Sequence, residues 1–254
     1  MPIALVWVLG AAIAITLFIL SRAHFQSLER ERFQRDAVYF STVITETLER
    51  HINSLKSLRA FVASRDVTRW EFSRFAAQTL PNNHGFKAVL WVPMIPDSAR
   101  GAYETSLQRD GLYGLRIREI DPEKGFAVAR TRPSYFPVTY VDPLETNQDL
   151  IGLYLATDSD YSGLLAQAAR TNAVAVSSLK SAPALPTNTT LLVAFPLRAE
   201  REAAPARSGH PEIKGFAVGV LDLDALIGRV LPRGAPVELA IVQPGPGAAS
   251  QETQ

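Results

Sequence analysis

The run RPSYFPVTYVDP, from Arg132 to Pro143, sets three aromatic residues and three prolines within twelve positions. Proline has no amide hydrogen for a central strand to donate, so Pro137 marks an edge or a bulge in the extended segment Ser134 to Val141. The aromatic side chains carry large apolar surfaces that a core must cover. A kinked edge strand leading into a loop is the local reading, and the rest of the chain is read outward from it.

Upstream, Phe86 to Ile95 (FKAVLWVPMI) reads as a strand, Pro96-Asp97 opens a helix running to about Arg109, and Asp110-Gly111 is a turn. Leu115 to Ile120 alternates apolar with charged residues, as a half-exposed strand does. Downstream, Leu150 to Leu155 is short and apolar. Ser159 to Thr171 has helical spacing, with Leu164, Leu165, Ala168 and Ala169 as its apolar stripe. Strands are predicted over Ala173 to Leu179, Leu191 to Leu197 and Phe216 to Leu221, with a charged loop, Ala199 to Pro211, before the last. Asp224 to Val230 reads as a helix, and Val237 to Val242 begins another strand. The strands are antiparallel candidates with helices grouped between the early ones. The fold class is therefore α+β around one curved sheet rather than a doubly wound one.

Toward the N-terminus, Asp66 to Gln78 is a shorter helix carrying Trp70, Phe72, Phe75 and Ala76, broken by Leu80-Pro81-Asn82-Asn83-His84-Gly85. Ahead of it, Phe33, Ala37, Phe40, Ile44, Leu48, Ile52, Leu55, Leu58 and Val62 recur every three or four residues, with no Gly or Pro from Ser21 to Arg69. A helix continuous to about Ala63 would reach roughly 65 Å from a membrane. Its far half must pack on the domain that follows. Its near half is either a dimerising stalk or an ordinary amphipathic core helix.

Ile3 to Leu20 is uncharged over eighteen residues, with Thr16 its single polar side chain. Such a helix spans roughly 27 Å, close to a hydrocarbon core. No Lys or Arg precedes it, and Ser21-Arg22-Ala23-His24 is a poor cleavage site. An uncleaved anchor fits better than a signal peptide. Arg22, Arg30, Arg32 and Arg35 follow the span, so a positive-inside count would keep the next domain cytoplasmic.

The whole chain of 254 residues has 26 basic and 25 acidic side chains, so its charge gives no reason to expect nucleic acid. The absence of cysteine excludes disulfides, thiolate zinc sites, iron–sulfur clusters and a cysteine nucleophile together. His24, His51, His84 and His210 are scattered and form no paired-ligand spacing, and there is no GxSxG, GxGxxG or P-loop. Ser177-Ser178-Leu179-Lys180 contains Ser-x-x-Lys, but it ends a strand where catalysis would need it to open a helix. Asp158-Ser159-Asp160 reads as a cap for the helix near Tyr161, or as the polar end of a ligand pocket. Nothing in these patterns supports catalysis, and no cofactor or metal is implied.

The opening run belongs to a longer ordered series. It comprises Leu80-Pro81 with Gly85; Trp91-Val92-Pro93; Arg100 with Tyr103-Glu104; Gly111 and Ile117; and Arg132-x-x-Tyr135-Phe136-Pro137-Val138-x-Tyr140-x-x-Pro143. Asn147, Gly152, the Leu155 to Thr157 stretch, the helix end Ala168 to Thr171, Phe195-Pro196-Leu197 and Gly215 to Val220 leading to Leu226 complete it. This series, from about Trp70 to Val230, resembles the CHASE family, the extracytoplasmic sensor domains of histidine kinases and nucleotide cyclases.

The resemblance implies a transmembrane helix over 3–20, a stalk helix over 21–63 and a ligand-binding distal PAS-like module over 64–200. A return strand and the start of a membrane-proximal PAS-like module would occupy 201–243, with a disordered tail over 244–254. It also implies a periplasmic sensor on the inner membrane, against the charge count, with homodimerisation through the stalk. A bound small molecule would shift a bistable stalk packing. The remainder of the proximal module, a second span and an output kinase or cyclase domain are expected after Gln243.

Candidate ligand contacts on the concave sheet face and its helix are Trp91, Tyr140, Leu155, Asp160, Tyr161, Leu192 and Ala194, with Tyr140 and Asp160 as the polar ones. In plant members that bind adenine-type hormones, an acidic residue near the helix start holds the purine. Here Tyr161 stands there, with Asp160 one place off. A Thr before the Phe-Pro pair is replaced by Ala194, so direct bonding to a purine edge is not expected. The competing reading is a membrane-anchored PAS-like interaction protein that dimerises without a ligand.

Overall fold

The computed structural model describes residues 38–64, 67–79, 85–112, 114–121, 125–157, 159–177, 190–198 and 213–230. The helices are α1 (38–64), α2 (Arg69–Thr79), α3 (Arg100–Arg109), α4 (Ser159–Thr171) and α5 (Leu223–Val230). The strands are β1 (Phe86–Pro93), β2 (Ile95–Pro96), β3 (Arg118–Asp121), β4 (Gly125–Val128), β5 (Ser134–Tyr135), β6 (Tyr140–Asp142), β7 (Ala175–Val176), β8 (Thr190–Arg198) and β9 (Ile213–Asp222).

Alternation builds the sheet. Ala88, Leu90 and Val92 of β1 point to one core while Val89 points to another. Five strands join in the order β6-β1-β9-β8-β7, with every pairing antiparallel. β9 lies in the centre, paired with β1 from Phe86↔Leu221 to Pro93↔Gly215 and with β8 from Thr190↔Asp222 to Arg198↔Ile213. Both central strands are buried on both faces along most of their length. Two short ribbons, β2–β5 and β3–β4, stand apart from this sheet.

Each face of the sheet has its own cover. Leu192, Ala194, Phe216, Val218 and Val220 meet Tyr161, Leu164, Leu165 and Ala168 of α4, together with Leu150, Leu153 and Leu155. On the opposite face, Val193, Phe195, Ala217 and Leu221 meet Leu55, Leu58 and Val62 of α1, Phe72 and Ala76 of α2, and Leu223 and Leu226 of α5. Tyr103, Leu107, Ile117, Ala129, Tyr135 and Tyr154 form a third cluster between α3 and the ribbons.

The helix ends follow local chemistry. Thr68 and Glu71 form a capping box ahead of α2: Thr68 N donates to Glu71 Oε2 at 3.0 Å, and Glu71 N donates to Thr68 Oγ1 at 3.3 Å. α4 stops at Asn172, whose φ of 51° is the left-handed turn that asparagine tolerates.

The chain divides into two units, residues 1–47 and 48–254, with helical residues in each. In the first, Val38 and Tyr39 are exposed. In the second, Leu55, Leu58 and Val62 are buried, so the later part of the apolar helix stripe does cover the sheet. The apolar run 3–20, residues 21–37, the loop 199–212, the strand expected over Val237 to Val242 and the tail lie outside the described residues. Among the described residues, no helix is long and apolar enough to cross a membrane.

The return strand is β9, bonded between β1 and β8 in one sheet. Two expectations change. The strand expected from Leu115 begins at Arg118, and its partner β4 is a four-residue segment with no alternating signature of its own. The strand over Ala173 to Leu179 is two residues long within the described part.

Candidate functional site

The motif residues around Tyr135 build a polar clamp. Arg100 and Glu104 sit one turn apart on α3 and pair at 3.0 Å. Arg100 Nη1 donates to Ala129 O and to the Tyr135 hydroxyl, each at 3.1 Å, with its guanidinium 4.9 Å from the Tyr135 ring centre. The Tyr135 hydroxyl donates to Asp97 Oδ1 at 2.8 Å and accepts from the Arg132 amide at 2.9 Å. Burial lowers the Arg100 pKa, but the bonds to Glu104 and Tyr135 outweigh it and raise it overall.

A second half of the clamp centres on Glu119 of β3, a buried carboxylate held by Arg132 Nη2 at 2.8 Å and Arg130 Nε at 3.3 Å. The bond to Glu119 raises the Arg132 pKa. The Arg132 guanidinium also lies over the Tyr154 ring at 5.1 Å. Beside it, the Tyr103 hydroxyl bonds Thr139 Oγ1 at 2.9 Å, and burial pushes its pKa well above the ordinary phenol value.

This clamp fixes an irregular wall. Residues 152–155 are threaded between two neighbours. Gly152 N donates to Val138 O, Val138 N to Leu153 O and Leu155 N to Phe136 O, while Tyr154 N donates to Arg118 O. Gly152 has φ of 77°, and a Cβ there would stand 2.7 Å from Arg116 O, so the position requires glycine. The wall then enters a 3-10 turn, Leu155–Thr157, just ahead of α4. At the other end of α4, Arg198 Nη2 donates to Ala169 O at 2.7 Å.

The sheet separates the predicted contacts. Leu155, Tyr161, Leu192 and Ala194 come together on the α4 face, all buried. Trp91 and Tyr140, register partners in β1 and β6, lie on the α1–α2 face, where Tyr140 is 5.6 Å from Phe72 by ring centres. Asp160 lies within α4, and its side chain is outside the described part. Near the α4-side group, Ser177 Oγ accepts from Leu192 N at 3.0 Å while Ser177 N donates to Leu192 O at 2.8 Å.

Sequence reasoning passed over Glu119 and Asp97 as site builders. The charge at Glu119 has the signature of a solvent-facing strand residue, and only the distant Arg130 and Arg132 explain its burial. Among the described residues, no group of His, Asp or Glu could hold a metal ion.

Residues 65–253 match the family model described as the CHASE domain. No curated protein sequence matches the chain. Among solved structures, the chain is similar to the ligand-binding domain of the Pseudomonas aeruginosa PAO1 amino acid chemoreceptor PctC in complex with GABA. Identity is 15%, over 78% of this chain and 62% of that one, with a TM-score of 0.38. This chain thus spans less than two thirds of that domain.

Proposed function

Because the chain belongs to the CHASE domain family, an extracytoplasmic sensory family of membrane receptors, we propose that it is the small-ligand input module of such a receptor. Residues 3–20 anchor it in the inner membrane, the sensor faces the periplasm, and the stalk over 21–63 pairs with a second copy. The output is a histidine kinase or a nucleotide cyclase. The apolar length of 3–20 and the helical stripe from Phe33 to Val62 support this arrangement.

The ligand is taken on the α4 face, against Leu155, Tyr161, Leu192 and Ala194. The observation that carries this reading is the difference in cover. That face is closed by irregular, clamp-held chain and one helix, which can rearrange around a guest more easily than packed helices can. A thermal-shift screen of the full chain against adenine derivatives and amino acids tests it. A stabilising compound should lose its effect in Ala194→Leu and keep it in Trp91→Ala. A compound that behaves the other way would move the site to the α1–α2 face.

A second reading, a PAS-like interaction module without a ligand, is favoured by one fact. The four α4-side residues are buried among other side chains. If no compound in the screen stabilises the chain while it self-associates through α1, that reading prevails.

A further inference from the structure

We propose that Gly219 is a positioning residue that ties α1 to the opposite face of the sheet, a proposal that rests on the α4 face being the ligand face. Gly219 lies in the central strand β9, in register with Val89 of β1 and Val193 of β8. Its neighbours Val218 and Val220 are fully buried on the α4 face. A Cβ added at Gly219 would lie 2.6 Å from Leu55 Cδ1, 3.0 Å from Leu55 Cδ2 and 2.7 Å from Phe86 Cε1. The Leu55 side chain therefore rests directly on the backbone of β9.

Leu55 is wholly enclosed, at 0% exposure, so it cannot swing out into solvent and can move only against its packed neighbours. At this point the thickness between the two cores is one strand of backbone. When an occupant of the α4 face displaces β8 and β9, Leu55 has no intervening side chain to absorb the shift, and α1 moves with the strand. Elsewhere on β9, Ala217 and Leu221 stand between backbone and helix cover. Gly219 is the stiff point of the sheet.

Hydrogen exchange of the α1 segment 48–64, followed by mass spectrometry on the full chain, tests this. Ala194→Val, with Ala194→Leu as the larger step, mimics an occupant of the α4 face. Gly219→Ala lifts Leu55 from its seat, and Leu55→Ala in the same chain removes the clash. Gly219→Ala should speed exchange in 48–64 about tenfold, with β1 and β8 changed less. The double variant with Leu55→Ala should exchange more slowly than Gly219→Ala alone.

Ala194→Val should speed exchange in 48–64 in the native background and add nothing further in Gly219→Ala. Unchanged α1 exchange in Gly219→Ala overturns the proposal, as does acceleration spread evenly over the sheet. Additive effects of the 194 and 219 changes overturn it too, because the two faces would then be independent. Should Gly219→Ala fail to fold by circular dichroism, Leu55→Ala takes its place: Ala194→Val should then add nothing to exchange in 48–64 in the Leu55→Ala background, and an undiminished effect there overturns the proposal. The ligand face itself stands or falls on the thermal-shift screen, which does not read α1.

Discussion

The two faces of the sheet are covered in different ways. On the α1–α2 face, regular helices supply large, fully buried side chains (Leu55, Leu58, Phe72), and their backbone hydrogen bonds are satisfied within each helix. On the α4 face, one helix shares the work with 150–157, a segment of short turns whose backbone bonds are partly local and partly to Arg118, Phe136 and Val138, and whose Tyr154 ring packs under the Arg132 guanidinium. A face built the first way resists deformation. A face built the second way has local openings that cost less than unfolding the whole. One sheet can thus offer an adaptable side and a stiff side, joined through shared strands.

The largest test of this contrast is Leu58→Ala on the stiff face. It should cost about 2–5 kcal/mol, the range for emptying an enclosed leucine site, as read from urea unfolding. A smaller cost would mean that the helix cover collapses onto the gap, and the stiffness argument fails. On the other face, Tyr135→Phe removes the hydroxyl that joins Asp97, Arg100 and the Arg132 amide. About 1–3 kcal/mol should be lost, with exchange accelerated in 150–157 before it changes in β1. If β1 responds first, the clamp is part of the main core and not a separate support.

Thr68→Ala breaks the capping box of α2 and should cost about 0.5–2 kcal/mol by thermal unfolding, without altering exchange in α4. The smallest effect is at Asp142, which accepts from Ser73 Oγ at 2.7 Å and stitches α2 to β6. Burial raises its pKa in the folded state, against a lowering by the Ser73 bond. The folded form thus holds its proton more tightly than the unfolded one. Stability from this group is full below the unfolded carboxylate pKa and is lost as pH rises through the folded one. Asp142→Asn keeps an acceptor for Ser73 and should remove the share of the pH dependence of melting temperature that this carboxyl contributes as pH rises from the unfolded carboxylate pKa. A profile that falls as steeply as the wild type assigns the dependence to other groups.

Much of the local structure was legible in the sequence, because the signals that set it are local. Ser159 to Thr171 emerges as α4 with the same limits, and the tolerance of Asn172 for a left-handed turn is realised. The strand around Leu191 to Leu197 and the helix from Asp224 follow the same pattern. The place of β9 was not legible. Its apolar run says that it is buried, but nothing in it says that its partners are β1 and β8 and not strands of a later module. The seven proposed contacts divide for a related reason. Trp91 and Tyr140 are neighbours by register, and the parity of that register turns both toward α2. The buried Glu119 was hidden because its two arginines lie eleven and thirteen residues away across a ribbon.

The central place of β9 also dictates when the molecule can exist. β1 is made early, yet one of its two neighbours, β9, ends at Asp222, and β8 likewise waits for that strand. Until then the nascent chain carries two half-sheets with no strand to join them, and α1 has no completed surface on which to rest Leu55. Pairings that close so large a loop form late and slowly. The sheet therefore cannot close before Asp222 has been made, and until then the chain stays in a state that can still be threaded through a narrow pore.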